Sequence, residues 1–487
     1  MMSIMRLSKG PNPRVVLALR ILWAVLILGC EYATFAWTAS QCPWPSLTSP
    51  ASSQVSRILI VADPQILDHG SYPDRGIILT FLSRVFTDLN LRRSWRAALR
   101  KQPDAVVFLG DMMDNGRVNM SDDEYERYYA RFNSIFAQDE STPRYFVPGN
   151  HDTGIGAAKM FSPEAHNRYL KHFGPPNHVQ TMSGYTLVFV DAPSLVEEEY
   201  ERTAKAIQFN QWTPVKGGPV EFIHTFHKNK TDSPIILFTH IPLARPEGVD
   251  CGPLRERGTI HRGGGIGYQN TLGQQMSHFI LDQVQPSLIF SGDDHDYCEY
   301  IHTLNDSTRI REVTVKSLSM AMGIRRPGFQ LLSLALPSSA PVKTVTHADA
   351  PCLMPDQLAI YLSVYLPLIA ASLLVLLVLN VLGSSRAPRR SSNASLTRMT
   401  SRPRSDLDGS DDDLPKPSTV AKGRHQGFAL RVQSRLWRGW RLRTSAPRSG
   451  LGGGTRRWLA GFVSDAWDVA VVPLGLFSVL AVYTLWS

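Results

Sequence analysis

Three long apolar stretches punctuate the chain, and a series of short ones lies between the first two. The first, about Val15 to Trp37, follows an arm bearing Arg6, Lys9 and Arg14 and is interrupted by Arg20 and Glu31. Its length exceeds the apolar region of a cleavable signal peptide and predicts an uncleaved signal anchor over 15–37, behind a cytoplasmic arm over 1–14. The second, Leu358 to Leu382, has no charged residue in 25 positions and predicts a transmembrane helix over 358–382. The third, Val469 to Trp486, is shorter and contains Pro473 and Gly475, and it predicts a further span over 469–486.

Between the first two stretches, runs of β-branched and large apolar residues stop abruptly at a polar one. Arg57-Ile-Leu-Ile-Val-Ala ends at Asp63, Ala105-Val-Val-Phe-Leu-Gly at Asp111, and Arg144-Tyr-Phe-Val-Pro-Gly at Asn150-His151. Ile235-Ile-Leu-Phe-Thr ends at His240, and Ser287-Leu-Ile-Phe-Ser-Gly at Asp293-Asp-His295. Short runs of this kind suit strands buried on both faces, and helical patterns lie between several of them. The pattern predicts an α/β domain over 52–340 whose strand C-termini converge on one sheet edge, where such sheets bind ligands.

The formal charge of +9 is unevenly placed. About 17 Lys and Arg against 5 Asp lie between Arg386 and Arg457, so this stretch alone is more positive than the whole chain and the rest is slightly acidic. That distribution fits a basic segment beside a membrane rather than a nucleic-acid-binding domain, which would interleave aromatics with base-facing polar groups. Its Ser, Pro and Arg content and the Asp411-Asp-Asp413 cluster predict a disordered basic loop over 386–457. Because Lys and Arg tend to stay in the cytoplasm, the arm and loop are expected there, and residues 38–357 in the lumen. Sequons at Asn119, Asn229 and Asn305 fall in that lumenal stretch, as do Cys42, Cys251, Cys298 and Cys352. Four cysteines allow two disulfides in three connectivities, and the sequence does not choose among them.

Carboxylates, an amide oxygen and imidazoles at five strand ends make a mixed oxygen and nitrogen donor set. Such a set suits divalent manganese, zinc or iron, and its oxygen content favours manganese. A carboxylate at Asp111 bridging two ions about 4 Å apart would let the pair bind a phosphoryl group and activate water near neutral pH. A single Asp or Asn at a strand end is more often a helix cap or turn residue, but five correlated instances reverse those odds.

The ordered set Gly110-Asp-Met-Met-Asp-Asn-Gly-Arg117, Gly149-Asn-His-Asp152, His240 and Gly292-Asp-Asp-His295 resembles the calcineurin-like metallophosphoesterase superfamily. The resemblance runs from Asp63 to His302 and implies a β-sandwich flanked by helices, here with N- and C-terminal transmembrane helices. Asp63-Pro-Gln, Gly292-Asp-Asp-His-Asp-Tyr-Cys298 and Met322-Gly-Ile-Arg-Arg-Pro-Gly-Phe329 resemble its fungal branch of phosphodiesterases that remove ethanolamine phosphate from the mannose of glycosylphosphatidylinositol (GPI) anchors.

Carried over, the resemblance implies that Asp63 and His295 bind a first ion, that Asp111 bridges, and that Asn150, His240 and Asp293 bind a second. It implies a catalytic role for His151 at the phosphoryl or leaving oxygen, with Asp114 orienting its ring. Arg117 is expected either at phosphate or in a structural ion pair. Tyr268 and Gln269, in an irregular insertion after Cys251, are expected to help read the substrate glycan. Two positions depart from the superfamily pattern: Gln65 stands where a His is usual, and Asp293 replaces the first His of the last motif. Fewer imidazoles shift the preference further towards manganese. Whether Gln65 is a ligand, and whether Asp294 competes with Asp293, stays open.

The expected protein is thus a multi-pass phosphodiesterase of the endoplasmic reticulum or Golgi membrane with a lumenal catalytic domain. Its expected partners are the GPI glycolipid or GPI-anchored proteins, the bilayer and the export machinery, and not nucleic acid. A lumenal metallophosphatase with another substrate, and a catalytically weak module that binds GPI-linked cargo, are the alternatives.

Overall fold

The computed structural model describes residues 10–47, 55–156, 160–304, 308–335, 347–386 and 453–486. The early apolar runs form β1 (Val55–Val61), β2 (Ala105–Phe108) and β3 (Arg144–Phe146). They are followed by β4 (His178–Met182), β5 (Tyr185–Val190), β6 (Ile235–Thr239) and a two-residue ladder, β7 (Gly264–Gly265) with β8 (Tyr268–Gln269). β9 (Leu288–Ser291), β10 (Cys298–Leu304), β11 (Thr308–Thr314), β12 (Gly328–Ala335) and β13 (His347–Leu353) complete the set. One sheet has the order β13-β12-β1-β2-β3 and the other β10-β11-β9-β6-β5-β4. β1, β2 and β3 run parallel, as do β5, β6, β9 and β11, so each group delivers its strand ends to one edge.

Alternate residues of the central strands enter different cores. On β1, Ile58 and Ile60 pack between the sheets while Leu59 and Val61 pack under helices; on β6, Ile236 and Phe238 lie between the sheets and Leu237 under helices. This two-sided burial explains runs that are apolar throughout rather than alternating. Phe238 stacks on Phe189 and Phe290 at 4.9 and 5.7 Å, tying β5, β6 and β9 together. Helices Ile77–Leu99, Asp122–Ile135 and Ala165–Phe173 cover the first sheet through Trp95, Phe132 and Phe173. Ala192–Ala204, Pro219–Asn229 and Gln274–Val284 cover the second through Leu195, Ile223 and Ile280. The architecture is the expected mixed α/β sandwich flanked by helices.

Several boundaries differ from expectation. The first sheet continues past residue 340, because β13 pairs antiparallel with β12 and a disulfide joins Cys352 to Cys42. Pro351 obscures this strand in the sequence, and an edge strand tolerates it. Three helices are long and apolar enough to cross a membrane: Pro13–Ser40, Gln357–Gly383 and Arg456–Trp486. The last belongs to a helix beginning at Gly453, so residues 453–457, expected in the basic loop, are helical, and the third segment starts well before Val469. Helix formation there extends past the apolar stretch into residues that hydropathy does not register. Residues 387–452, with the rest of that loop, lie outside the described residues, as do most of the N-terminal arm and Asn305.

The charges interrupting the first apolar segment are satisfied internally. Arg20 donates to the Asp468 carbonyl at 2.7 Å and pairs with its carboxylate at 3.7 Å. Glu31, inside a wide helical turn at Gly29–Ala33, is buried in an ion pair with Arg93 and accepts from Gln357 at 3.1 Å and Tyr365 at 2.8 Å.

Candidate metal centre

Asp63, Asp111, Asn150, His240 and Asp293 all lie just beyond the strands that were expected to deliver them, and the two sheets bring them to one edge. Asp63, Asp111 and His240 place ligand-type atoms within 4.8 Å of one another, all three buried. Asp63, Gln65, Asp111, Asp293 and His295 have φ of 45°, 34°, 53°, 66° and 67°. Left-handed backbone at a non-glycine residue costs on the order of 1–3 kcal/mol, so five instances at one edge mark a site at which side-chain direction outweighs local stability. The motif glycines have a steric reason. A Cβ on Gly149 would stand 2.0 Å from Asp111 Oδ1, and one on Gly110, whose φ is +92°, would stand 2.5 Å from His240 Nδ1.

Hydrogen bonds fix the orientation of each group. His240 Nδ1 donates to the Leu109 carbonyl at 2.6 Å, which points Nε2 at Asn150 Oδ1, 3.1 Å, and at Asp111 Oδ1 and Asp293 Oδ1, each 3.4 Å. Asn150 Nδ2 donates to the Gly267 carbonyl at 2.8 Å, so its oxygen is the atom left facing His240. Asp111 accepts from the His151 backbone N–H at 2.8 Å and from Gln65 Nε2 at 2.7 Å. Asp63 Oδ1 accepts from the Asp293 N–H at 3.1 Å, while Oδ2 is buried with no hydrogen-bond partner.

This arrangement fits a cation. The Nε2 lone pair of a neutral His240 would face three oxygens that can only accept, and the orphaned Asp63 oxygen has no donor. Burial pushes the Asp63 carboxyl well up. Burial pushes the His240 imidazole down, but Asp111, Asp293 and Asp63 overcome it and hold the ring well above its ordinary range. Burial also pushes Asp111 up, yet His240, His151 and the two donated bonds hold it at about 2. A divalent ion among these oxygens and Nε2 satisfies every group at once.

The remaining candidates fall into place around this core. His151 Nδ1 donates to the Asp114 carbonyl at 2.5 Å and stands 3.7 Å from the Asp114 carboxylate. His295 lies against Gln65, with Nε2 to Nε2 at 3.4 Å. Gln65 therefore turns its amide nitrogen towards Asp111 and His295. Asp294 points away from the cluster: Arg255 donates to both of its oxygens, at 2.5 and 3.2 Å. Arg117 directs Nη1 to the carbonyls of Gly267, 2.6 Å, and Asn150, 3.0 Å, and it lies over the Phe161 ring. Tyr268 is half exposed on the β7–β8 hairpin, beside Gly267. Gln269 is engaged at both ends of its amide, accepting from Tyr200 at 2.6 Å and donating to the Thr271 carbonyl at 2.9 Å.

Asp152 had no expected role beyond its place in the motif. It is buried, accepts from the backbone N–H groups of Gly149 and Met113, and is pushed up to about 7 by burial and by Asp111. It holds the turn that presents Asn150 and His151. The insertion is pinned by a disulfide between Cys251 and Cys298, which leaves Cys30 as the free cysteine.

A helix-flanked sandwich with buried carboxylates, an amide oxygen and imidazole at the ends of its parallel strands defines a metal-dependent phosphoesterase. The chain belongs to the calcineurin-like phosphoesterase family, whose sequence model matches residues 56–297. It is 32% identical over 423 residues to Cell division control protein 1 of Saccharomyces cerevisiae, covering 83% of this chain and 81% of that protein. It is 27% identical over 387 residues to Metallophosphoesterase 1 of Ailuropoda melanoleuca, covering 75% and 89%, and 24% identical over 331 residues to the Metallophosphoesterase 1 homolog of Drosophila melanogaster, covering 63% and 80%.

Proposed function

We propose that this metallophosphoesterase removes ethanolamine phosphate from a mannose of GPI anchors, in the endoplasmic reticulum membrane with its catalytic domain in the lumen. The observation that carries the reading is the attachment of the catalytic domain to the candidate spans. Helix Ile77–Leu99, packed on the first sheet, pairs through Arg93 with Glu31 of the first span and donates from Arg96 to the Thr484 carbonyl of the third at 2.7 Å. A metal centre held this close to a bilayer meets lipid-linked diesters at high local concentration. The motifs shared with the fungal branch and the 32% identity to a yeast protein support the same reading.

In this reading Asp63 and His295 would hold a first divalent ion, manganese by the donor set, with Asp111 shared between the two sites, and Asn150, His240 and Asp293 would hold a second. The four oxygen and nitrogen atoms that face one another around His240 Nε2 support the second set, and the orphaned Asp63 oxygen supports the first. The ions, when bound, supply Lewis acidity to the phosphoryl oxygens and acidify the attacking water. The water oxygen bonds to phosphorus as one of its protons passes to solvent, from which His151 is later reprotonated, and the bond from phosphorus to the mannose oxygen breaks. His151 delivers a proton to that oxygen, so ethanolamine phosphate leaves and a sugar hydroxyl remains. Asp114 holds Nδ1 through its carbonyl, and its carboxylate stands 3.7 Å from the same nitrogen. Arg117 anchors the Gly267 turn above Asn150, Tyr268 meets the glycan, and Gln269 shapes the hairpin that presents it.

The GPI glycolipid, free or on protein, is the substrate, and the basic loop is a point of contact for export machinery. Purified full-length protein supplied with manganese should release ethanolamine phosphate from a GPI glycolipid, and Asp111→Asn should not. Intact glycolipid after incubation with the metal-loaded wild type would contradict the assignment.

A further inference from the structure

Two cavities meet where the catalytic domain joins the candidate spans. The deeper one, about 440 Å³, lies between the three apolar helices and is walled by Trp23, Ile27, Ile369, Leu373, Leu376 and Val469. The other, about 650 Å³, lies on the membrane-facing side of the domain, between the start of helix Ile77–Leu99 and the loop at Met320–Arg325. Phe86 and Tyr361 line both, so the two adjoin. Together they form one cleft with an apolar end and a charged end.

The charged end carries Arg75, Arg257 and Arg325. Arg75 lies over the Tyr72 ring, 3.6 Å from guanidinium to centroid, and donates to Ser83. Arg325 is 73% exposed, 3.2 Å from Asp356. Arg257 has no side-chain hydrogen bond or ion pair among the described residues. The same loops serve the metal edge: Ser317, at the head of the Met320–Arg325 loop, donates to the Asp63 carbonyl at 2.8 Å, and the Arg257 N–H donates to Asp296, beside His295, at 3.3 Å. The loops that line the charged end thus also brace the metal edge. Leu79 lines this end, and on the same helix start Ile77, Ile78, Leu79 and Phe81 are 90%, 75%, 59% and 60% exposed, an apolar face suited to the acyl boundary of a bilayer.

We propose that this cleft binds the lipid end of the substrate, an anionic diacyl phospholipid moiety. One acyl chain enters the cavity beside Leu373 and Val469, and the phosphate lies against Arg257, Arg325 and Arg75. An apolar pocket open to hydrocarbon beneath a rim of guanidinium groups is complementary to an amphiphile of that polarity and charge, and guanidinium forks match phosphate oxygens. The inference rests on the proposed function in one respect only, that the bound lipid is the anchor of the hydrolysed glycan. The lipid then stays in the bilayer while its head group reaches the metals, so the cleft selects lipid-linked diesters over soluble ones.

The test uses full-length protein in phosphatidylcholine nanodiscs containing a phosphatidylinositol with a photoreactive acyl chain. Crosslinks should concentrate on residues 361–376 and 466–477. They should fall about fivefold or more both in Leu373→Trp/Val469→Trp, which fills the cavity, and in Arg257→Ala/Arg325→Ala, which removes the rim charge. Val479→Trp, on an exposed part of the third helix, should change nothing, and hydrolysis of a soluble diester should persist in every variant as evidence of folding. With GPI glycolipid, both cleft variants should raise KM at little cost in kcat. Crosslinks spread evenly over the exposed helix faces, or unmoved by filling the cavity, would overturn the site. Specific crosslinks with an unchanged KM would overturn its role as the substrate's anchor. If the wild type leaves GPI glycolipid intact, the proposed function fails while the crosslinks still decide the cleft.

Discussion

The side-chain amide of Asn150 donates to the carbonyl of Gly267, 117 residues away, over 2.8 Å. That bond sets which end of the amide faces His240 and fastens the insertion that carries Tyr268 to the metal edge. Asn150→Ala removes both an oxygen of the centre and the fastening. Metal analysis should show bound metal reduced, and kcat/KM for a soluble diester should fall by about 100-fold or more. Asn150→Asp keeps an oxygen but has no N–H for Gly267, so it should retain metal better than Asn150→Ala while still losing activity.

His151 is oriented by Asp114 and, in the proposed roles, touches substrate rather than metal. His151→Ala should therefore lower kcat by about 10²–10⁴-fold with metal content unchanged. Asp114→Asn, which leaves the backbone carbonyl in place, should cost less, about 10- to 100-fold. Loss of metal in His151→Ala would reassign the residue to the coordination sphere.

The buried pair of Glu31 and Arg93 joins the first candidate span to the catalytic domain. Removing one partner strands a charge, so Arg93→Ala should destabilise the protein by about 3–5 kcal/mol. The loss should appear as lower yield and a lower thermal transition in detergent. Glu31→Gln with Arg93→Met should recover most of it, because desolvating the pair is costly in itself.

Glu312 is fully buried in the second sheet with Arg245, His302 and Ser291. Burial pushes its carboxyl up, but those three partners overcome it and hold it at about 2. A folded-state value below the ordinary one contributes stability above pH ~4.5, and that stability is lost as pH falls towards 2. The contribution is on the order of 3 kcal/mol. Thermal unfolding followed from pH 6 to pH 3 should show a steep fall in the wild type and a shallower one in Glu312→Gln, which starts from lower stability.

The strand-end residues are legible in the sequence because a buried strand leaves few polar positions, and those at its C-terminus share one edge. The rule has a counterexample within this chain. β5 also ends at an acidic residue, Asp191, yet that carboxylate caps the next helix by accepting from the Ser194 N–H at 3.0 Å and from its hydroxyl at 2.7 Å. Only the order of the motifs separates ligand from cap. Arg255, in a loop that no periodicity places, takes up both oxygens of Asp294, whereas Asp293 faces His240. Gln65 is ambiguous in sequence because an amide serves equally as ligand or brace; its bond to Asp111 is a contact that only the fold brings about. The charges of the first apolar segment read as interruptions, since their partners lie on other elements far along the chain: Arg93, Gln357 and Tyr365 for Glu31, and Asp468 for Arg20. Which cysteines pair follows from β13 lying at the sheet edge, a strand whose proline hides it.

The central claim is that the metal edge hydrolyses ethanolamine phosphate from a GPI mannose. Mass spectrometry of GPI glycans from cells lacking this protein, complemented with wild type or with Asp111→Asn, tests it most directly. Ethanolamine phosphate should be retained in the deleted cells, removed by the wild type and retained with Asp111→Asn, and the fragment masses should identify the mannose. Glycans identical in all the cells would contradict the account and leave a metallophosphoesterase with another substrate or a cargo-binding protein.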